Sequence, residues 1–138
     1  MKIILDKNKL IKFVHSEKNL GFVPTMGAIH LGHASLVKKS INECNKTVVS
    51  IFINKPQFNK KSDFQKYPRL AKKDISIHKR FQVDCLYLPS FKQIYSNGRN
   101  KNIKINSFWF NNFDKSINYI YYSFEMTWSE LSTKFFPQ

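Results

Sequence analysis

Two histidines, His30 and His33, lie three residues apart in a glycine-containing segment that runs from Pro24 to His33. An apolar run, Leu20 to Val23, precedes the segment, and apolar residues at helical spacing follow it. The pattern predicts a strand, a turn and a helix start, where free N–H groups and the helix dipole favour an anion. Glycine lets the backbone approach a phosphate, and each imidazole can donate a hydrogen bond to a phosphoryl oxygen. We therefore interpret the segment as a nucleotide-phosphate site with protonatable groups directed at it.

The histidine pair also has a plainer interpretation. A single histidine near a helix start is more often a solvated or capping residue than part of a site. Here two histidines stand in the order H-x-G-H, between a predicted strand and a predicted helix. Because the spacing and the context agree, we favour the functional interpretation of His30 and His33.

The elements that must position these residues alternate between strand and helix. Runs of apolar, often β-branched residues predict strands at 20–24, 47–53 and 83–88. Helical spacing of apolar residues predicts helices at 6–16, 33–44 and 69–80. This alternation is typical of an α/β fold, a Rossmann-like doubly wound parallel sheet. Ligands of such sheets bind beyond the carboxyl ends of the strands, where the sequence places His30, His33, Asn54 and Gln57.

Composition favours a single cytoplasmic domain. The 138 residues and 42% apolar content suit one core, and no apolar stretch has the length of a membrane span or a signal peptide. Cys44 and Cys85 form no C-x-x-C pair, so we interpret both as buried, reduced thiols. We therefore expect a cytoplasmic location and no membrane partner.

The net charge of +14 raises nucleic acid as a possible partner. However, 20 of the 23 basic residues are lysine, and only three are arginine, which binds bases and phosphates bidentately. The lysines are spread along the chain, as is typical of a solvated surface. We therefore expect no nucleic-acid partner, and a basic nucleic-acid-binding protein is the weakest alternative, since charge alone motivates it.

The segment Pro24 to His33 resembles the P-T-M-G-[AN]-L-H-x-G-H signature of the pantothenate synthetase (pantoate–β-alanine ligase) family, within the H-I-G-H nucleotidyltransferase superfamily. Further blocks are similar to the family's in order and spacing over roughly residues 1–105. They are Val48–Asn54 with Gln57–Phe58, then Asp63 with Tyr67–Arg69 and Asp74, then Val83–Asp84, Pro89–Ser90, Ile94–Tyr95 and Asn97–Gly98.

This resemblance implies a two-step ligation. The carboxylate of pantoate attacks the α-phosphate of ATP to give pantoyl adenylate and pyrophosphate, and the amine of β-alanine then displaces AMP. The product, pantothenate, is a precursor of coenzyme A. The resemblance therefore implies ATP as co-substrate, Mg²⁺ carried with the ATP, no metal held by the protein itself, and a possible homodimer.

The resemblance also implies a role for individual residues. His33 takes the position of the proton donor to the departing phosphate, with His30 as the second catalytic residue. The ATP-binding segment corresponds to Met26, Gly27, Ala28, Ile29, His30, Leu31, Gly32 and His33. Gln57 takes the position of the glutamine that holds pantoate and contacts β-alanine, and Pro24, Met26 and Asn54 complete the substrate-binding set. Without the surrounding block, Gln57 is simply an exposed loop residue.

Three features depart from the family pattern. The family's N-P-x-Q-F reads Asn54-Lys55-Pro56-Gln57-Phe58, so the proline moves by one position and the direction of Gln57 is expected to change. The family's Y-P-N-G reads Tyr95-Ser96-Asn97-Gly98, which costs some rigidity. The G-E-K-D-x-x-Q and L-S-S-R-N blocks of the family do not occur, and they supply contacts to the ATP phosphates.

The last part of the chain differs in composition, because 11 of the 21 aromatic residues fall within 108–138. We expect a nucleotide-binding domain at 1–107, a diverged aromatic-rich tail at 108–138 with a possible helix at 124–136, and no C-terminal domain of the family. With this division, we expect the Rossmann-like sheet of this chain to be incomplete relative to that of the family. A truncated or frameshifted gene is the favoured explanation, and a genuine short variant the alternative. Aromatic side chains that lack partners predict poor solubility or oligomers, and a body that stays folded when trimmed after about Asn106.

Two functional hypotheses remain besides the nucleic-acid alternative. The first is a pantothenate synthetase that is active alone or with a separately encoded partner. The second is an inactive or partner-dependent truncated remnant with at most weak nucleotide binding.

Overall fold

The structure, a computed structural model, describes residues 1–95 and the backbone of residues 119–120. A short 3-10 turn, Lys55–Gln57, follows the third strand. In chain order the strands and helices are β1 (Lys2–Ile4), α1 (Lys7–Val14), β2 (Leu20–Thr25), α2 (Leu31–Glu43), β3 (Lys46–Ile51), α3 (Lys61–Lys66), α4 (Ala71–Arg80), β4 (Cys85–Tyr87), α5 (Phe91–Ile94) and β5 (Tyr119–Ile120).

The strands form one sheet in the order β1-β4-β3-β2-β5, and every neighbouring pair is parallel. The pairing of β2 with β3 is the longest and ends with Thr25 opposite Ile51. Because parallel strands have their carboxyl ends at one edge of the sheet, the turns after β2 and β3 begin side by side.

Helices cover both faces of the sheet. One face packs on α1 and α5 through a cluster that includes Leu10 and Ile94. The other packs on α2 and α4 through a cluster that includes Val37 and Ile75. Strands covered on both faces are apolar throughout, which explains the continuous apolar runs in the sequence. The predicted α/β, doubly wound parallel fold is confirmed.

Helix α2 lies close against β2 at Gly21. A Cβ atom at this position would clash with Ser40 Oγ and lie 3.0 Å from Cys44 Sγ, so the close approach requires glycine. The hydroxyl oxygens of Ser40 and Thr47 are buried and 2.8 Å apart, within hydrogen-bond distance. These contacts hold α2, and therefore its first turn, in a fixed place over the carboxyl edge of the sheet.

The structure adds elements that the sequence pattern did not predict, namely β1, α3, α5 and β5. Helix α2 begins at Leu31, two residues before the predicted start, because His30 caps it. Cys85 is fully buried as expected, whereas Cys44 is only half-buried. Among the described residues, no helix combines the length and the apolar character that a membrane span requires.

Part of the predicted tail adds a strand to the sheet. The backbone of Tyr119–Ile120 pairs in parallel with Gly21 and Phe22 of β2. The predicted helix at 124–136 and the other aromatic residues of the tail lie outside the described residues. The division of the chain after residue 107 stays a prediction.

Candidate active site at the start of helix α2

The chain turns sharply between β2 and α2. Gly27 has φ +85° and Ala28 has φ +52°, both in the left-handed region. Glycine is needed at position 27 for space as well, since a Cβ atom there would lie 2.9 Å from Asp74 Oδ2 and 3.2 Å from Ile51 Cγ2. Alanine adopts this region only at an energetic cost, so the surrounding structure must hold Ala28 in place.

Buried side chains accept hydrogen bonds from the backbone N–H groups of this turn. The N–H of Gly27 donates to Thr25 Oγ1 at 3.1 Å. Asp74 of α4 accepts the next two, with Oδ2 at 3.0 Å from the Ala28 nitrogen and Oδ1 at 3.1 Å from the Ile29 nitrogen. Asp74 is only 2% exposed, so its carboxylate ties α4 to the turn within the protein interior.

His30 is exposed and caps helix α2. Its Nδ1 atom accepts the N–H of Gly32 at 3.1 Å. A neutral imidazole that accepts through Nδ1 carries its hydrogen on Nε2, so His30 keeps one N–H to donate to a ligand. Capping and ligand binding are therefore compatible, and His30 can do both at once.

His33 lies one helical turn further, with its ring centroid 4.0 Å from that of His30. It is 2% exposed, and its Nδ1 atom has no hydrogen-bond partner among the described residues. Burial is the main reason why the pKa of His33 falls from 6.5 to about 4; the nearby His30 and His78 act in the same direction, and the Asp74 carboxylate acts against them. His33 is therefore neutral at pH 7, and one of its ring nitrogens carries a hydrogen that it can donate to a ligand.

The turn after β3 carries the second group of predicted site residues. Asn54 is fully buried, and its Oδ1 atom accepts a hydrogen bond of 2.6 Å from the Tyr95 hydroxyl. Its Nδ2 atom has no partner among the described residues, which leaves a buried donor beside the carboxyl edge of the sheet. Gln57 is half-buried and closes the 3-10 turn through its N–H, which donates to the Asn54 carbonyl at 3.0 Å.

The shifted proline fits this turn. Pro56 is the middle residue of Lys55–Gln57, where a backbone N–H would have no partner within the turn. The following Phe58 packs edge-on against the rings of Phe64 and Tyr67 at 5.5 and 5.3 Å. The backbone of the turn is therefore regular, and the ring contacts of Phe58 anchor the residue that follows Gln57.

The structure brings the predicted ATP-binding segment together as one continuous turn and cap. Pro24 and Met26 are buried, Ala28 and Ile29 are half-buried, and Leu31 is 89% exposed. The substrate-binding candidates Asn54 and Gln57 follow β3 at the same edge of the sheet. Within residues 1–95, no three side chains of the metal-ligating types come together as a metal site would require.

Sequence reasoning gave no role to three residues that support the site: Asp74, His78 and Tyr95. His78 is completely buried one turn after Asp74, with Nδ1 2.7 Å from the Asp74 carbonyl oxygen. Since a carbonyl oxygen only accepts hydrogen bonds, Nδ1 of His78 carries the hydrogen. The pKa of His78 is lowered, mainly because the side chain is buried. Asp74 and Tyr95 fell within the family-like blocks without a role, and His78 was marked only by its i, i+4 spacing from Asp74, which usually indicates a solvated face.

Comparisons with known proteins point to one family. The model of the pantoate-beta-alanine ligase family matches residues 2–121, which extends beyond the resemblance seen in the sequence. Pantothenate synthetase of Francisella tularensis subsp. novicida (strain U112) is 48% identical over 92 residues, 67% of this chain and 34% of that protein. The chain thus spans about a third of the length of the curated relatives it matches.

Solved structures agree in fold. The crystal structure of pantoate-beta-alanine ligase from Francisella tularensis, complexed with beta-gamma ATP and beta-alanine, matches with a TM-score of 0.71 and 39% identity over 80% of this chain and 44% of that one. Pantothenate synthetase from Thermus thermophilus matches with a TM-score of 0.69 and 31% identity over 77% of this chain and 38% of that one.

Proposed function

The chain belongs to the pantoate–β-alanine ligase family, and on that premise we propose that its site activates pantoate with ATP and joins it to β-alanine. The observation that carries this proposal is the histidine pair at the start of α2, where His30 offers Nε2–H and a neutral His33 lies 4.0 Å from it. A relative in complex with a form of ATP and with β-alanine supports both compounds as ligands.

In the first step, a carboxylate oxygen of pantoate attacks the α-phosphorus of ATP. An oxygen–phosphorus bond forms, the bond from the α-phosphorus to the oxygen that bridges to the β-phosphate breaks, and pyrophosphate leaves with that electron pair. Phosphoryl transfer needs positioning and charge stabilisation more than covalent help from the protein. We assign that stabilisation to the imidazole N–H groups of His30 and His33 and to the dipole at the start of α2.

The low pKa of His33 suits this role. A bound triphosphate places negative charge beside the imidazole, which raises its pKa from about 4 and favours the protonated form. His33 then donates its proton to the departing pyrophosphate as general acid. Catalysis at His33 is therefore switched on by the substrate, because the empty site keeps the imidazole neutral.

The second step uses the residues after β3. The amine of β-alanine attacks the acyl carbon of pantoyl adenylate, an amide bond forms, and AMP leaves. Gln57 can accept from a pantoate hydroxyl and donate to a carboxylate, and the unpartnered Asn54 Nδ2 is a further donor at the same edge of the described sheet. We assign Pro24 and Met26, which are buried at the end of β2, to the same substrate-binding set, and we propose that Mg²⁺ enters with ATP.

A second candidate function is a partner-dependent or inactive remnant with at most weak nucleotide binding. The observation that favours it is that the match covers 34% of a curated relative. In both cases we propose a nucleotide-binding unit at residues 1–107, a cytoplasmic location, small-molecule substrates rather than nucleic acid, and a homodimer as the form to test.

Rescue of a pantothenate-requiring bacterial strain separates the two candidates. We expect growth with this chain or with this chain fused to the remaining part of a full-length relative, and no growth when His33→Ala is present in either. Growth with the fusion alone supports the partner-dependent form. Failure of both arms contradicts a catalytic role for this site.

A further inference from the structure

The turn between β2 and α2 has the geometry of an anion-binding nest. Successive N–H groups next to left-handed residues converge on one point and bind anions. Here Gly27 and Ala28 are left-handed, and the N–H groups of Ala28 and Ile29 converge on the Asp74 carboxylate. The anion in this nest is therefore a side chain of the protein.

We propose that Asp74 is a positioning residue that holds the nucleotide turn as an internal anion, so that ATP phosphates bind outside the nest. This inference rests on the proposed function. The phosphates then meet the first turn of α2, at the N–H groups of Leu31 and His33, together with the two imidazoles. Those N–H groups have no hydrogen bond within the described part of the chain, whereas the N–H groups of residues 27, 28, 29 and 32 are all engaged.

The burial of Asp74 argues against its displacement by phosphate. The carboxylate is 2% exposed and sits on α4, which packs on the sheet through apolar contacts such as those of Ile75. A phosphate that took the two N–H groups would leave a buried carboxylate without partners, next to a second anion. Leaving a buried charge unpaired is strongly unfavourable.

Asp74 also meets the need created by Ala28. A non-glycine residue at φ +52° persists only where its surroundings hold it. Asp74 accepts one hydrogen bond from the peptide unit before Ala28 and one from the peptide unit after it, so both sides of this residue are held. If the turn were released, the His30 cap at the start of α2 would shift. The direction in which the His30 Nε2–H points would then change as well. The position of the carboxylate on α4 is thus coupled to the position of the site.

We call the pair of hydrogen bonds from Ala28 and Ile29 to Asp74 the clamp. Amide hydrogen exchange on the full chain tests the clamp without any ligand. We expect protected amides at Ala28 and Ile29, and at least a tenfold loss of that protection in Asp74→Ala, with core amides such as Val49 unchanged. Asp74→Asn keeps one acceptor and the shape of the side chain, so it serves if the alanine variant does not fold. Asp63→Asn, which changes an exposed carboxylate on α3, is the matched control. Unchanged protection at both amides in Asp74→Asn and Asp74→Ala would overturn the clamp.

A titration of the wild-type chain with inorganic tripolyphosphate, followed by amide and imidazole NMR signals, tests where phosphate binds. We expect shifts at Leu31, His33 and His30 and none beyond neighbour effects at Ala28 and Ile29. Loss of the Ala28 and Ile29 hydrogen bonds to Asp74 on titration would refute the proposal.

Calorimetric binding of MgATP gives the functional readout. Asp74→Asn is expected to weaken binding at least tenfold, while Asp63→Asn leaves it unchanged. Tighter binding in Asp74→Asn would overturn the proposal, since it would mean that the carboxylate blocks the phosphate position. If the wild-type chain binds neither ATP nor tripolyphosphate, the proposed function and the placement of phosphate fail, and the exchange experiment still decides the clamp.

Discussion

The buried imidazole of His33 predicts a specific dependence of stability on pH. Its pKa is about 4 in the folded chain and near 6.5 when unfolded. Between these values the unfolded chain binds a proton that the folded chain does not, so stability rises with pH and is lost as pH falls. Each pH unit is worth up to about 1.4 kcal/mol, so His33 accounts for about 3 kcal/mol between pH 7 and pH 4.

Urea unfolding at half-unit steps from pH 7.5 to pH 4 measures this effect. The wild-type chain is expected to lose stability steeply below pH 6.5, and His33→Gln to lose about 3 kcal/mol less over the same range. His78, whose pKa is also lowered by burial, leaves part of the slope in that variant. Carboxylates that gain protons near pH 4 are present in both chains, so the difference between the two curves reports His33 together with its interactions with His30, Asp74 and His78.

His15→Gln is the matched control, because His15 is exposed at the carboxyl end of α1, outside the site. Its curve should follow that of the wild type. Parallel curves for the wild type and His33→Gln would refute the reasoning, since they would mean that His33 titrates alike in the folded and unfolded chains.

Three further predictions concern the same contacts. Binding of MgATP at pH 6 should take up protons, because the triphosphate raises the pKa of His33; calorimetry in two buffers of different ionisation enthalpy detects the uptake, and equal proton uptake in wild type and His33→Gln would contradict it. Gly21→Ala should destabilise the chain by about 1–3 kcal/mol in urea, since the new Cβ clashes with Ser40 Oγ, and a change below the error of the measurement would contradict the close packing of α2 on β2. Tyr95→Phe should cost about 1–2 kcal/mol in urea unfolding, because it removes the 2.6 Å hydrogen bond to Asn54; unchanged stability would show that water replaces the hydroxyl.

The sequence predicted the elements whose patterns are long. Strands β2, β3 and β4 and helices α1, α2 and α4 carry enough apolar periodicity to be found, and the family prediction, carried by the contiguous segment Pro24–His33, is confirmed. Strand β1 is three residues long with two of them exposed, and α3 and α5 span six and four residues, too short for a period to show.

The partners within the site were less predictable. Asp74 lies 45 and 46 residues from the N–H groups that it accepts, so its role arises only when α4 packs beside the turn. The burial of His33, which is the main cause of its lowered pKa, likewise depends on how the chain packs around it, and a motif does not identify this burial. The motif therefore supplied the candidate site residues, and packing determines their protonation and positions.

Pantoate-dependent release of pyrophosphate from MgATP by the full chain tests the central claim most directly. We predict release that requires pantoate, proceeds without β-alanine to form the adenylate, disappears in His33→Ala and is retained in His15→Ala. No pantoate-dependent release, under conditions where a full-length relative produces it, would contradict the claim that this site activates pantoate.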